Sequence, residues 1–507
     1  MSMISKSRSS AWSWDRLLGT VDLESLANPG LAAAFIGMMV VQLARHQMWR
    51  DETNAWGIVL ASPTLPALFH NLHYEGHPGL WHLLLWCASW ISPNPAVMKV
   101  VHGCVAAGFI LMIACRSPFS RFEKILLLLN YFVFYEYAII SRNYGIGLLL
   151  ALVYVQLRLA SPDRLLRNAA VLGLLANTNV YAAILSVAMA CEAALDRYVT
   201  WPDSWVIKVR RLAQPAVVYA GFVLICALTL WPAPDISWRT TARPFGHVLD
   251  PQRIAWVAIN YIDAGIVPLA AGLHLVVPPI GIMLGIALLP IIGALTCWVF
   301  RDDWRALLVF GMTAAGAVIF GELIYEGWER HWGITFVAFV VAYWMQQTRH
   351  PQRARSAVVL LWLGAVAGMG AYQQEVIQPL SNAGATARWL QGHDLQDAAL
   401  VGTPDTSAAG VAELLGRPIY FLDCSCVDTF LRFQNRRDGY RIAQLPARLA
   451  TAVAWAGNRP VVLLDSYPLS QLQLTAISEY HIQVEQIAAF TGAIKQEEDF
   501  YLYKVTR

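Results

Sequence analysis

The stretch VPPIGIMLGIALLPIIGALTCWVF, residues Val277–Phe300, contains no aspartate, glutamate, lysine or arginine. A helix of this length reaches across the roughly 30 Å hydrocarbon core of a bilayer, at about 1.5 Å per residue. Leu31–Leu43, Ala213–Trp231 and Ala306–Phe320 are likewise without charge. Of the 507 residues, 57% are hydrophobic and 14% charged, where soluble domains carry about 25% charged residues. The solvent of this chain is therefore largely lipid. A formal net charge of +3 with no basic run gives no footing for nucleic-acid binding.

Apolar runs at 29–47, 78–92, 97–115, 122–140, 144–160, 167–178, 180–195, 213–232, 277–300, 305–324, 332–347 and 355–372 are candidate spans. They predict a polytopic α-helical membrane protein of about 11–13 transmembrane helices. Some runs fall short of the roughly 20 residues of a full span, so tilted or partial spans are expected. Residues 1–28 are polar and mixed in charge, and no small-residue cleavage site follows the first apolar run. That run reads as a retained helix behind a cytoplasmic N-terminal segment. Segment 253–276, interrupted by Asp263 and Pro268, reads as an interfacial helix.

Loop charge gives the orientation. The connections 116–124, 158–167, 197–211 and 349–355 are basic, and excess Lys and Arg mark the cytoplasmic side. Loop 48–77, the junctions at Arg142 and Asn177–Tyr181, loop 233–276 and residues 325–333 then fall outside. Three apolar segments between 78 and 141 conflict with an outside-to-outside path, which needs an even number. One of them is expected not to span; the 78–92 run is short and ends in Pro93-Asn94-Pro95.

From residue 373 the chain turns polar. Ala398–Val401, Pro418–Leu422 and Pro460–Leu464 read as strands, and Ser407–Leu415 and Ile442–Ala456 as helices. Late strands follow at His481–Ile487 and Phe500–Val505. The expectation is a transmembrane domain over 29–372 and an extracytoplasmic soluble α/β domain over 373–507 with some parallel pairing. Six cysteines lie in apolar runs as packing residues. Cys424 and Cys426 read as plain structural residues, a C-x-C disulfide being sterically tight even where the compartment permits it.

Polar clusters at a membrane surface are costly and therefore informative, and four fall on the outer side. Arg50-Asp51-Glu52-Thr53-Asn54 follows the first helix; its carboxylates fit a general base or a helix N-terminus complementing its dipole. His70-x-x-His73-Tyr74-Glu75-Gly76-His77-Pro78, with His82, has a spacing that could hold a divalent metal, or is an interfacial girdle; no metal is assigned. Glu136 and Arg142 flank the next junction, where Arg142 would pair with Glu136 or with an anionic phosphate. Arg330-His331 opens a late helix, as an anion site or as interfacial anchoring beside Trp328 and Trp332.

Taken in order, Asp51-Glu52-Thr53, His77-Pro78-x-Leu80 about 25 residues later, Arg142-x-Tyr144 and Arg330-His331-x-Gly333 carry a resemblance. The chain resembles the GT-C class of membrane glycosyltransferases that use polyprenyl-phosphate sugars. That class includes protein O-mannosyltransferases, lipid A aminoarabinose transferases and rhizobial lipopolysaccharide galacturonosyltransferases. The resemblance covers most of 29–372 and implies a multi-pass protein of the bacterial inner membrane with its C-terminal domain in the periplasm. It implies Asp51 as catalytic base, with Glu52 positioning the acceptor or assisting. Arg142, Arg330 and His331 would bind the donor phosphate, and His77 and Tyr144 would shape the pocket. The implied partners are a polyprenyl-phosphate-linked sugar donor, the lipid bilayer, and a glycan, lipid or protein acceptor; no cofactor is implied. The chain departs from the class at Asn177–Tyr181, where many members carry a lysine or histidine. The alternatives are a lipid or glycan transporter or flippase, or a non-catalytic assembly protein for envelope polysaccharide. Charges gathered on one face without an internal repeat favour the transferase over the transporter.

Overall fold

A computed structural model describes residues 23–237, 250–269, 278–350, 357–393, 395–434 and 442–507. Most of the expected N-terminal segment, part of loop 233–276, and Arg353 and Arg355 lie outside the described residues. The chain opens with α1 (Leu23–Arg45), then three short helices, α2 (Arg50–Leu60), α3 (Leu65–Leu72) and α4 (Leu80–Ser89). The bundle continues through α5 (Ala96–Leu111), α6 (Arg121–Leu128), α7 (Asn143–Ala160), α8 (Leu165–Ala176), α9 (Val180–Thr200) and α10 (Trp205–Leu230). It closes with α11 (Pro251–Ala258), α12 (Pro278–Phe300), α13 (Trp304–Leu323), α14 (Glu329–Arg349) and α15 (Val358–Ile377). Among the described residues, α5 with its extension to Arg116, α7, α10 and α13 are long and apolar enough to cross a membrane.

The 78–92 run, expected not to span, forms α4. Its 10 residues reach only about 15 Å, half a hydrocarbon core. The expected helix over 122–140 is broken: α6 stops at Leu128, Asn130 accepts a bond from Phe132 N–H, and a π-helical turn over Tyr131–Glu136 completes the path. Two glycines of α15 make room for this break. A Cβ on Gly368 would stand 2.0 Å from the Leu129 carbonyl oxygen, and one on Gly364 would stand 1.9 Å from the Asn130 side chain. Gly368→Ala is expected to destabilise the bundle by about 1–3 kcal/mol through overpacking. The check is its apparent unfolding temperature in detergent by tryptophan fluorescence, with Gly221→Ala, which faces open space in a helix interior, as the control expected to lose no stability.

Ion pairs tie the basic connections together at one end of the bundle. Arg158 and Arg305 both reach Asp196 at 2.6 Å, and Arg349 reaches Asp303 at 3.1 Å and Glu192 at 3.6 Å. The junctions before α2, α7 and α14 meet at the opposite end. Within the segment at 253–276, the described residues form α11 and a π-helical turn over Ile259–Ala264, with Tyr261 buried against Tyr181 (Oη–Oη 3.0 Å). Of the six free cysteines, five sit on the outside of the bundle and Cys226 is buried.

After α15 come α16 (Ala383–Gly392), β1 (Ala399–Thr403), α17 (Asp405–Leu415), β2 (Ile419–Phe421) and β3 (Cys426–Asp428). The domain ends with α18 (Leu445–Ala456), β4 (Val461–Asp465), α19 (Gln471–Ser478), β5 (Gln483–Phe490) and β6 (Phe500–Thr506). The sheet order is β3-β2-β1-β4-β6-β5. β1 pairs parallel with both β2 and β4, and the remaining pairings are antiparallel. ALVGT and VVLLD are wholly buried, as central strands covered on both faces must be. Leu400, Val462 and Leu464 face α16 and α17; Ala399, Val401 and Leu463 face α18 and α19. Gly416 ends α17 with φ +63, the left-handed cap that glycine adopts without Cβ strain. Cys424 and Cys426 form a disulfide, correcting the expectation of two plain thiols. The turn after β2 brings the two Cα atoms to 5.2 Å, inside the range a disulfide spans. α17 lies on α2, so the sheet domain rests on the end of the bundle that carries the junctions before α2, α7 and α14.

Candidate active site

The candidate site is built on the corner between α1 and α2. Trp49 adopts an extended conformation and α2 starts at Arg50, placing Asp51 and Glu52 in a first turn whose dipole favours anions. The two carboxylates then separate. Glu52 is fully buried and accepts from Ser141 N–H (2.6 Å) and Trp49 N–H (3.2 Å), while His46 lies at 2.8 Å. His46 also meets Glu375 of α15 at 2.6 Å. Glu52 thus ties the corner to the junction before α7 and fixes Asp51 beside Arg142.

Asp51 faces the opening. Its side chain keeps 22% exposure and its Oδ2 lies 2.6 Å from Arg330 Nη2. Arg142 donates to the Asp51 backbone carbonyl. Burial alone would raise the Asp51 pKa, but Arg330, Arg142 and Arg50 outweigh it and hold the carboxylate below its usual range. Two arginines from distant loops and an ionised aspartate therefore meet at one point, as the sequence reading required.

Arg142 does not pair with Glu136, which instead accepts from Tyr131 Oη at 3.0 Å. Its carboxylate partner is Glu75, at 3.6 Å, with Asn54 donating to the other oxygen at 3.1 Å. Burial pushes the Glu75 pKa up to about 7; Arg142 pulls it down and Asp51 pushes it up. Arg142 Nη2 also reaches His77 Nε2 at 3.0 Å. Burial and Arg142 push the His77 pKa well below its usual value, so the ring is a neutral acceptor. The other histidines go elsewhere: His73 bonds to the Trp231 carbonyl at 2.5 Å, His70 packs on Tyr74, and His82 is buried. Among the described residues no three His, Cys, Asp or Glu side chains converge as a metal ion requires.

A narrow cleft is lined by Arg330 and His331 and by Tyr144, Tyr137, Tyr181, Leu148, Leu185 and Val337. Its mouth is charged and its floor apolar. His331 accepts from Trp328 N–H at 2.7 Å, Tyr144 stacks on Tyr137 at 5.8 Å, and Tyr144 Oη is buried without a protein partner. Trp49 stands under Arg330 (5.3 Å) and Lys495 (5.4 Å). The C-terminal domain also closes this corner, with Glu497 2.6 Å from Arg50. Of the residues singled out in the sequence, Tyr144, Arg330 and His331 line this cleft, Asp51, Arg142 and His77 gather beside Arg330, and Glu52 is buried behind them. Sequence reading missed Glu75, whose only signal was its place between Tyr74 and His77, and Lys495, for which the sequence carries no signal.

No family model matches the chain, and no curated protein matches it by sequence. Solved structures do match. ArnT from Cupriavidus metallidurans bound to undecaprenyl phosphate is 12% identical, with a TM-score of 0.50 over 94% of this chain and 97% of that one. The chain has the GT-C fold. The apo state of the same ArnT is 11% identical with a TM-score of 0.49, over 94% and 98% of the two chains. The mycobacterial arabinofuranosyltransferase AftD is 14% identical with a TM-score of 0.41, over 95% of this chain and 42% of that one. In this GT-C bundle the charged mouth lies where the short helices α2–α4 meet α7 and α14, beside the sheet domain.

Proposed function

We propose that the protein is a glycosyltransferase of the bacterial inner membrane that moves a sugar from a polyprenyl-phosphate donor to an envelope acceptor at the periplasmic face. The observation that carries this reading is the ionised Asp51 set against Arg330 and Arg142 at the mouth of an apolar-floored cleft. A lipid-linked sugar keeps its chain in hydrocarbon and its phosphodiester at the interface, where the two guanidinium groups meet it. The acceptor hydroxyl or amine attacks the anomeric carbon as the bond from that carbon to the phosphate oxygen breaks. Asp51 takes the acceptor proton, and the electron pair leaves on the polyprenyl phosphate, whose growing charge Arg330 and Arg142 stabilise. Attack opposite the leaving group inverts the anomeric centre. Glu52 acts as the strut that aims Asp51, and His77 and Tyr144 shape the walls.

Before donor binds, Arg330 is occupied by Asp51. A phosphodiester competing for that guanidinium releases the carboxylate and raises its basicity when it is needed. Arg142 has a similar competitor in Glu75. A phosphodiester carries one negative charge throughout the neutral range, so only the protein titrates. Below about pH 7 Glu75 is protonated and Arg142 is free for the donor; above it the Glu75 carboxylate competes. Donor affinity is therefore expected to fall several-fold as pH rises from about 6 to about 8, and Glu75→Gln is expected to flatten the curve at its tight end. Titrating a polyprenyl-phosphate sugar into the protein in nanodiscs checks both. Absence of donor binding at any pH would refute the proposed function, and an unchanged slope in Glu75→Gln would remove Glu75 from it.

A further inference from the structure

The C-terminal domain brings a lysine to the mouth of the membrane domain. Residues 494–499 lie along the chain that leaves α15. Ile494 N–H donates to the Pro379 carbonyl at 2.9 Å, and Lys495 N–H to that of Leu380 at 3.3 Å. Ser381 Oγ donates to Glu498 at 2.8 Å, and the Asn382 amide to Asp499 at 3.0 Å. The backbone around Lys495 is therefore fixed to the end of the bundle. Its half-buried side chain crosses to the Trp49 ring, where Nζ stands 5.4 Å from the centroid. Among the described residues that ammonium meets no carboxylate within 4 Å and no hydrogen-bond acceptor.

The arginines around it are engaged. Arg330 holds Asp51 at 2.6 Å, Arg50 holds Glu497 at 2.6 Å, and Arg142 holds Glu75 at 3.6 Å. Glu498 Oε1 is turned to Arg50 at 3.9 Å. Arg330 lies over the same indole as Lys495, at 5.3 Å, and both charges act on the buried Glu136, so the two cations are neighbours. Two further donors at this corner, Trp49 Nε1–H and Arg330 Nε–H, are buried without partners. An uncompensated ammonium beside unused N–H groups suits an oxyanion. A phosphate that reaches Arg330 must displace Asp51, and one that reaches Arg142 must displace Glu75. Lys495 can be engaged without breaking an ion pair. We propose that Lys495 is a donor-binding residue, which captures the phosphodiester of the polyprenyl-linked sugar and shares it with Arg330. The donor site is then built from both domains and is incomplete without the C-terminal one. This rests on the glycosyltransferase reading and adds to it a residue from the C-terminal domain.

The test measures the Kd of a polyprenyl-phosphate sugar for the full chain in nanodiscs, with the apparent unfolding temperature of each variant beside it. Lys495→Met keeps an apolar stem against Trp49 and loses the charge; Lys495→Arg keeps the charge. Lys495→Met is expected to bind the donor about tenfold more weakly at an unchanged unfolding temperature, the effect of losing one hydrogen bond between charged groups. Lys495→Arg is expected to recover most of that loss. Wild-type affinity in Lys495→Met, or no recovery in Lys495→Arg, would overturn the proposal. So would weaker binding that comes with a lowered unfolding temperature, which marks Lys495 as an anchor between the domains. Donor consumption, followed in parallel, separates the two claims. Normal turnover and equal donor affinity in Lys495→Met sink this residue alone. Lys495-dependent binding by a wild-type protein that never consumes the donor sinks the transferase reading and leaves the capture site standing. A wild-type protein that binds no donor sinks both.

Discussion

Asp51→Asn is expected to lower sugar transfer by about 10²- to 10⁴-fold, the range that a positioned general base contributes. The carboxamide keeps the size of the side chain, and the buried Glu52 network that sets the corner is untouched. Fold and membrane insertion should therefore survive. Donor affinity should hold or rise, because Arg330 loses the carboxylate at 2.6 Å that competes with the phosphate. A variant that transfers at the wild-type rate would remove Asp51 from the chemistry. Lost transfer with equally lost donor binding would instead make it a structural group.

Arg330→Ala carries the second large effect. It withdraws a preorganised cation from the leaving phosphate, a loss of about 10²–10³ in turnover by analogy with removing one oxyanion donor. It also removes the nearest charge holding the Asp51 pKa down. The acidic limb of the pH–rate profile should therefore move to higher pH, a readout that mere loosening of the fold does not produce. Arg330→Lys should restore the position of that limb better than the rate, since an ammonium keeps the charge and loses the two-pronged geometry. An acidic limb that stays in place in Arg330→Ala would contradict the coupling between the pair.

The membrane domain was legible because charge-free runs such as Ala213–Trp231 have one stable solution in lipid. The sheet domain was legible because β1 and β4 are buried on both faces and read as unbroken apolar runs. The break of 122–140 was hidden: Leu129–Asn130 looks helical until Gly364 and Gly368 of α15 pack against it. At the site, Asp51, Arg142 and Arg330 stood out as charges at a bilayer surface. The divergence of Asp51 and Glu52 did not, because it depends on His46 and Ser141, partners that only the fold supplies. Glu75 was overlooked for the same reason: its pairing with Arg142 spans 67 positions of sequence.

The central claim is that one outer cleft displaces a polyprenyl phosphate from a sugar in a single step. The direct measurement incubates the purified protein with polyprenyl-phosphate sugars of defined anomeric configuration and determines the configuration of the transferred or released sugar by NMR. The account expects inversion, with the activity lost in Asp51→Asn. Retention of configuration, or no donor consumed by the wild-type protein, would contradict it.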